Sequence, residues 1–348
     1  MPKSFGYKIK TPNGPIEGQI VSLSTRAVLE EGEKRGVTWK EIPNARIFRL
    51  EYNGITRYLH YQMPTQTLEL GFNICLNKAA AKEFLQEAQV ATPKGYYIPK
   101  QITDETAWLD IFNALKKPLV IKPSHGKQGQ SVYMDIQDKN AFISAVTAVM
   151  QLSREDEEGV LVEETFEGKE YRILATKEKV LGIINRVPAN VTGDGIHTIE
   201  ELVAEKNNDP RRSFDIYDPL VKIPIDTHVH EYLTKHGRKL SDIPSSGEQV
   251  FLRQNSNIST GGDSYDVTDI ADPSVHAIAL KVSNAIPGAY FLGIDFMTTD
   301  ISTPQTEETY SIIEVNGSPG LSIHDWPFVG ESRDCAKELL FLIFPELR

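Results

Sequence analysis

The segments LGIDFM (residues 292–297) and IIEVNGSPG (residues 312–320) set oxygen-bearing side chains into otherwise apolar, strand-like runs. A carboxylate or amide is costly to bury unless something compensates it. Glu314 and Asn316 stand two residues apart, so on a strand they face the same side. With Asp295 from a neighbouring strand they form a set of hard oxygen donors suited to Mg2+, the candidate metal site. The plainer alternative is that each side chain sits at a strand end in water or bonds a nearby loop. A divalent cation held by few carboxylates draws its remaining ligands from substrate phosphates, which directs attention to the cations of the chain.

Working outward, PLVIKP (118–123) reads as a short buried strand ending at Lys122, followed by the loop SHGKQGQS (124–131). Gly126 and Gly129 allow its backbone N–H groups to approach an anion closely. The loop matches neither GxxxxGK[ST] nor GxGxxG, so the familiar nucleotide folds are not indicated. NKAAAKEFLQEAQVATP (77–93) has helical spacing, with Lys78 and Lys82 on one polar face that is ordinarily solvated. VLVEETFEGKEYRIL (160–174) puts Glu163 at the end of one strand and Glu170 at the start of the next. A short linker there can offer backbone groups to an adenine edge and a carboxylate to ribose hydroxyls; by itself it is an ordinary acidic hairpin.

The remaining sequence frames these motifs. Its 348 residues predict two or three domains, and 40% hydrophobic with 24% charged residues is an ordinary globular composition. A net charge of −11 disfavours nucleic acid and anionic membranes as general partners. Two cysteines, a start without an apolar signal core, and no apolar run longer than LLFLIF (339–344) predict a reducing cytoplasm and no membrane span. TRAVLEEGEKRG (25–36) predicts a helix closed by Gly36, and Asn53-Gly54 predicts a hairpin turn between ARIFRLEY and TRYLHYQM. Trp108, Ile111, Phe112 and Leu115 form one helical stripe, and Phe142, Ala145, Val146 and Val149 form another. VLVEE, EYRILAT and VLGIIN predict strands, the last two joined as a hairpin by residues 177–179. Thr198 with Glu201 predicts a capping box, Asp272-Pro273 predicts a capped helix start, and FLGIDFM and YSIIEVN predict a strand pair. There is no internal repeat.

Taken in order, LVIKPSHGKQGQSV, VLVEETFEGKEYRIL, LGIDFM and IIEVNGSPG resemble the ATP-grasp superfamily of ADP-forming carboxylate–amine ligases, the group that contains D-alanine–D-alanine ligase. RVPANVTGDGIHTIEEL (186–202), VFLRQNSNISTGGDSYDVTD (250–269) and the terminal IHDWPFVGESRDCAKELLFLIFPEL (323–347) are similar to the ATP-grasp region of cyanophycin synthetase and of the C-terminal half of bifunctional glutathione synthetase. STRAVLEEGEKRGVTWKEI (24–42) is similar to the segment that precedes that region, so the resemblance covers nearly the whole chain.

The resemblance implies an α+β fold of two lobes gripping ATP behind a small N-terminal α/β domain, divided as residues 1–76, 77–164 and 165–348. It implies that Lys78 and Lys122 grip the ATP phosphates, with Ser124, Gly126 and Gly129 in the covering loop. It puts Glu163 and Phe166 at the adenine hinge, Glu170 on the ribose, and Asp295, Glu314 and Asn316 on two Mg2+ ions, with Mn2+ as an alternative. Arg253, Lys122 and Asn257 become the candidate catalytic residues, and Arg172, Arg186 and His324 the candidate substrate contacts. Gly293 stands where D-alanine–D-alanine ligases carry an arginine, a charge that Arg253 or Arg172 is expected to supply. No Mur-ligase-like domain is expected to follow and no γ-glutamylcysteine ligase domain to precede, which disfavours iterative polymer building.

The implied reaction joins an amino acid or peptide carboxylate to an amine through an acyl phosphate, with a free-standing glutathione-synthetase-like enzyme as one version. A nucleotide-binding pseudoenzyme and a kinase-like activity are the alternatives. Amino acid or peptide substrates and a homo-oligomer are the expected partners, with neither nucleic acid nor membrane.

Overall fold

The computed structural model describes residues 9–11, 14–16, 22–42, 45–126, 131–152, 158–214 and 218–348; Gly129 lies outside the described residues. The chain divides into two compact units, one of residues 67–180 and 269–317, the other of residues 1–66, 181–268 and 318–348.

The first unit contains Lys78, Lys122, Glu163, Glu170, Asp295, Glu314 and Asn316. One of its sheets has four antiparallel strands in the order Gly95–Pro99, Gly159–Glu164, Leu119–Pro123 and Tyr133–Ile136. The helices Glu105–Ala114 and Lys139–Leu152 turn their predicted stripes onto this sheet, so that Trp108, Phe112, Phe142 and Val146 pack with Leu119, Ile121 and Val160. Its second group of strands joins Lys169–Thr176, Phe291–Thr298 and Tyr310–Asn316, all antiparallel. Phe291–Thr298 is the middle strand of the three and is buried along nearly its whole length, which explains its near-continuous apolar sequence. Asp272 caps the Pro273–Ala285 helix by accepting from the Ser274 N–H, as the Asp-Pro signal predicts. After the Lys169–Thr176 strand the chain turns tightly, with Thr176 N–H donating to Lys179 O at 2.9 Å.

In the second unit, the helix Leu23–Glu33 is followed by Gly36 at φ +80°. The strands Thr38–Ile42, Ile47–Tyr52, Ile55–His60 and Met63–Pro64 then form an antiparallel sheet. Its central hairpin turns at Asn53 (φ 47°) and Gly54 (φ 80°), the left-handed pair that an Asn-Gly turn supplies. Val180–Val187 pairs with Asp263–Asp266, and Asn190–Thr192 with Gln249–Phe251. The capping box is present: Thr198 accepts from Glu201 N–H, and Glu201 accepts in return from Thr198 N–H at 2.8 Å. Thr198→Ala should cost about 1 kcal/mol of stability, read as a lower denaturant midpoint at unchanged slope.

LLFLIF, all but its last residue, belongs to the Cys335–Ile343 helix, which buries Cys335, Ala336, Leu339, Leu340 and Ile343. Among the described residues no helix is long and apolar enough to cross a membrane.

Candidate functional site

Lys78 opens the helix Lys78–Glu87, and the helix start is fixed by Asn77, whose side chain accepts from the N–H groups of Ala79 and Ala80 at 3.0 and 3.1 Å. Its own N–H donates to Ser124 O at 2.9 Å, which ties the helix start to the loop after Lys122. The Lys78 ammonium donates to Gly126 O at 3.0 Å and lies 3.7 Å from Glu314 Oε1. Lys82 follows one helical turn later and points the same way.

Lys122, near the end of the strand Leu119–Pro123, lies opposite Leu161, and Glu163 two residues on projects from the same face of the adjacent strand. The Glu163 carboxylate, only 3% exposed, bridges two ammonium groups, with Lys122 Nζ at 2.8 Å and Lys82 Nζ at 2.9 Å. Gly95, paired with Glu163 across the sheet, makes room for it: a Cβ there would stand 2.3 Å from Val162 O and 2.9 Å from Glu163 Cγ.

Charge balance follows from this packing. Burial opposes the Glu163 carboxylate's charge, but Lys122 and Lys82 outweigh it and hold the group below the usual carboxylate range. Burial lowers Lys82 and Lys78 from the ordinary lysine range, opposed by Glu163 for Lys82 and by Glu314 for Lys78. By linkage, a depressed carboxylate contributes stability above its unfolded pKa near 4.5, and that contribution is lost as pH falls through its lower folded value.

The strand register lines up the remaining donors. Arg172 pairs with Asp295, Asp295 with Glu314 and Gly293 with Asn316, so Arg172, Asp295 and Glu314 form one row across three strands. A β-bulge between Asp295 and Phe296 shifts the register just beyond this row. Arg172 holds Asp295 in a fork, Nε to Oδ1 at 2.6 Å and Nη2 to Oδ2 at 3.2 Å.

The residues fit a metal–polyphosphate. The donors are two carboxylates and an amide, all hard, and the Asn316 amide nitrogen is buried with no hydrogen-bond partner among the described residues. Among the described residues no three His, Cys, Asp or Glu side chains gather as a metal cluster, so a cation here would rely on Asn316 and on ligand oxygens.

The other expected residues have separate surroundings. Ser124 is fully buried and its hydroxyl accepts from Gly159 N–H at 3.0 Å, while Gly126 adopts φ 140°. Phe166 lies beside Gly168 in the linker, and Glu170 pairs through its backbone with Met297. Arg186, Arg253, Asn257 and His324 belong to the second unit. Arg186 is in the strand Val180–Val187, opposite Ser264. Arg253 is buried, with Nη2 on Asp226 Oδ2 at 2.5 Å and, among the described residues, no hydrogen-bond partner for Nε. Asn257 precedes a 3-10 turn, and His324 is fully buried in the helical turn Ser322–Asp325.

Two neighbours of the expected residues carry no motif of their own. Lys82 was visible only through its four-residue spacing from Lys78. Asp226 caps the helix Thr227–Lys235, and nothing local shows that it also reaches Arg253.

No protein-family model matches the chain. It is 34% identical over 330 residues to the glutathione biosynthesis bifunctional protein of Clostridium perfringens, covering 93% of this chain and 41% of that protein. It is 33% identical over 322 residues to the cyanophycin synthetase of Trichormus variabilis, covering 92% and 35% respectively. Among solved structures, a bifunctional glutathione synthetase from Pasteurella multocida matches with a TM-score of 0.72 and 30% identity, over 94% of this chain and 44% of that one. The chain therefore spans well under half the length of these relatives.

Proposed function

Because the chain belongs to the ATP-grasp superfamily, we propose that it is an ATP-dependent, ADP-forming carboxylate–amine ligase. The observation that carries the reading is the cluster in the first unit, where Lys78, Lys82 and Lys122 gather on Glu163 and Glu314, beside a strand row carrying Asp295.

A substrate carboxylate oxygen attacks the γ-phosphorus of ATP and releases ADP. The amine nitrogen then attacks the carbonyl carbon of the acyl phosphate, inorganic phosphate leaves with its electron pair, and the nitrogen loses a proton. Lys78 and Lys122 neutralise the charge spread over the phosphoryl oxygens, the larger part of catalysis in such transfers. Asp295, Glu314 and Asn316 would hold Mg2+, or Mn2+, which when bound adds further charge neutralisation. Glu163 and Phe166 are assigned to the adenine edge, Glu170 to the ribose, and Ser124, Gly126 and Gly129 to the phosphate-covering loop. Arg253 and Asn257, with Arg172, Arg186 and His324, are assigned to the substrate carboxylate and the developing tetrahedral charge. In this scheme residues 77–164 and 165–348 are the two gripping lobes and residues 1–76 the preceding domain. The substrates are amino acids or peptides, among them the glutathione precursors, and the setting is cytoplasmic and homo-oligomeric.

Incubation with MgATP, pooled amino acids and short peptides, followed by ADP quantification and mass spectrometry, tests the reading. ADP release that requires both an acid and an amine, with an amide product, is expected. ADP release with one acceptor and a stable phosphate ester, or nucleotide binding without turnover, would overturn it.

A further inference from the structure

We infer that Lys82 is a positioning residue that keeps the phosphate site electropositive by sharing the Glu163 carboxylate with Lys122. This deepens the ligase reading and rests on its placement of ATP phosphates at Lys78 and Lys122.

Lys122 Nζ lies 2.8 Å from Glu163, and seen from a phosphate a one-to-one lysine–carboxylate pair is close to neutral. Lys82 Nζ lies 2.9 Å from the other oxygen of the same carboxylate, so the three groups together carry a net positive charge. Lys82 is 8% exposed and its side chain is committed to Glu163, whereas Lys78 reaches the loop carbonyl of Gly126. Its effect on a bound phosphate therefore runs through Glu163.

Geometry supports the same role. Glu163 enters from a central sheet strand, and Lys82 from the helix that also carries Lys78 one turn earlier. The Lys82–Glu163 contact is a buried ion pair at 2.9 Å. Electrostatic sharing needs proximity only. Burial pushes Lys82 toward neutrality and Glu163 opposes that shift, so the carboxylate and the second lysine depend on each other.

The test is a series of substitutions at Lys82 read by calorimetric titration with MgATP, without acid or amine, alongside thermal unfolding of each variant. Lys82→Met should weaken MgATP binding by about tenfold or more, because Glu163 then neutralises Lys122 alone. Lys82→Gln, which keeps a polar side chain but no charge, should weaken binding as Lys82→Met does, so that the loss follows charge rather than packing. Lys82→Arg, which retains the charge, should bind as the wild type does and carries the test if Lys82→Met does not fold. A folded Lys82→Met or Lys82→Gln chain that binds MgATP within about twofold of the wild type would overturn the role of Lys82 while leaving the ligase reading intact. A wild-type chain that binds no MgATP would instead overturn the ligase reading on which this rests.

Discussion

Lys122→Ala is expected to lower acid- and amine-dependent ADP release by about two to three orders of magnitude, the effect of deleting one preorganised donor to a developing oxyanion. The ammonium group stands at the end of a strand buried in the four-stranded sheet, so its position is set by the scaffold rather than by a mobile loop. Removing one partner of a buried ion pair usually destabilises a protein strongly, because the other charge is left alone. Here Lys82 remains 2.9 Å from Glu163, so the carboxylate keeps a counter-ion and the variant should still fold. Circular dichroism should therefore show a native spectrum while turnover is lost. A folded Lys122→Ala chain with turnover near that of the wild type would contradict the phosphate assignment.

The second large effect is structural and lies in the other unit. Asp263 is fully buried; it pairs with Arg212, accepts from Asn190 Nδ2 at 3.0 Å and sits 2.6 Å from Lys206 Nζ. Arg212 and Lys206 also lie over the Phe328 ring, at 5.1 and 5.3 Å from its centroid, so this carboxylate ties a helix, a strand and the C-terminal segment together. Asp263→Ala would leave two cations facing each other without a counter-charge, at an expected cost of about 3–5 kcal/mol. For a chain of this size that corresponds to a fall in melting temperature on the order of 10 °C. A shift within about 2 °C of the wild type would mean that solvent or a rearranged neighbour compensates the pair.

Local signals accounted for the elements that frame the site. The Asn53-Gly54 turn, the Thr198 capping box and the Asp272-Pro273 helix start each follow from the conformation or hydrogen bond that those residues favour, and each is present. The Phe142 stripe and the pairing of FLGIDFM with YSIIEVN follow from periodicity and burial in the same way. The assembly of residues 67–180 with 269–317 depends on pairings such as Ile173 with Ile294, which join distant segments and leave no local trace. Burial of the Lys82 face was also hidden. Helical spacing puts Lys78 and Lys82 together but does not show that a buried glutamate faces them, and two lysines on one face ordinarily mean solvent. Asp226 was hidden for the same reason, since a helix-capping residue gives no sign of a second partner such as Arg253.

A crystal structure of the chain grown with MgADP and a non-transferable phosphate analogue would place the nucleotide. The polyphosphate is expected within hydrogen-bonding distance of the Lys78 and Lys122 ammonium groups, with a cation on Asp295, Glu314 and Asn316. Nucleotide bound elsewhere, with Lys122 still facing only Glu163 and no density beside Glu314, would contradict the assignment of this cluster as the phosphate and metal site.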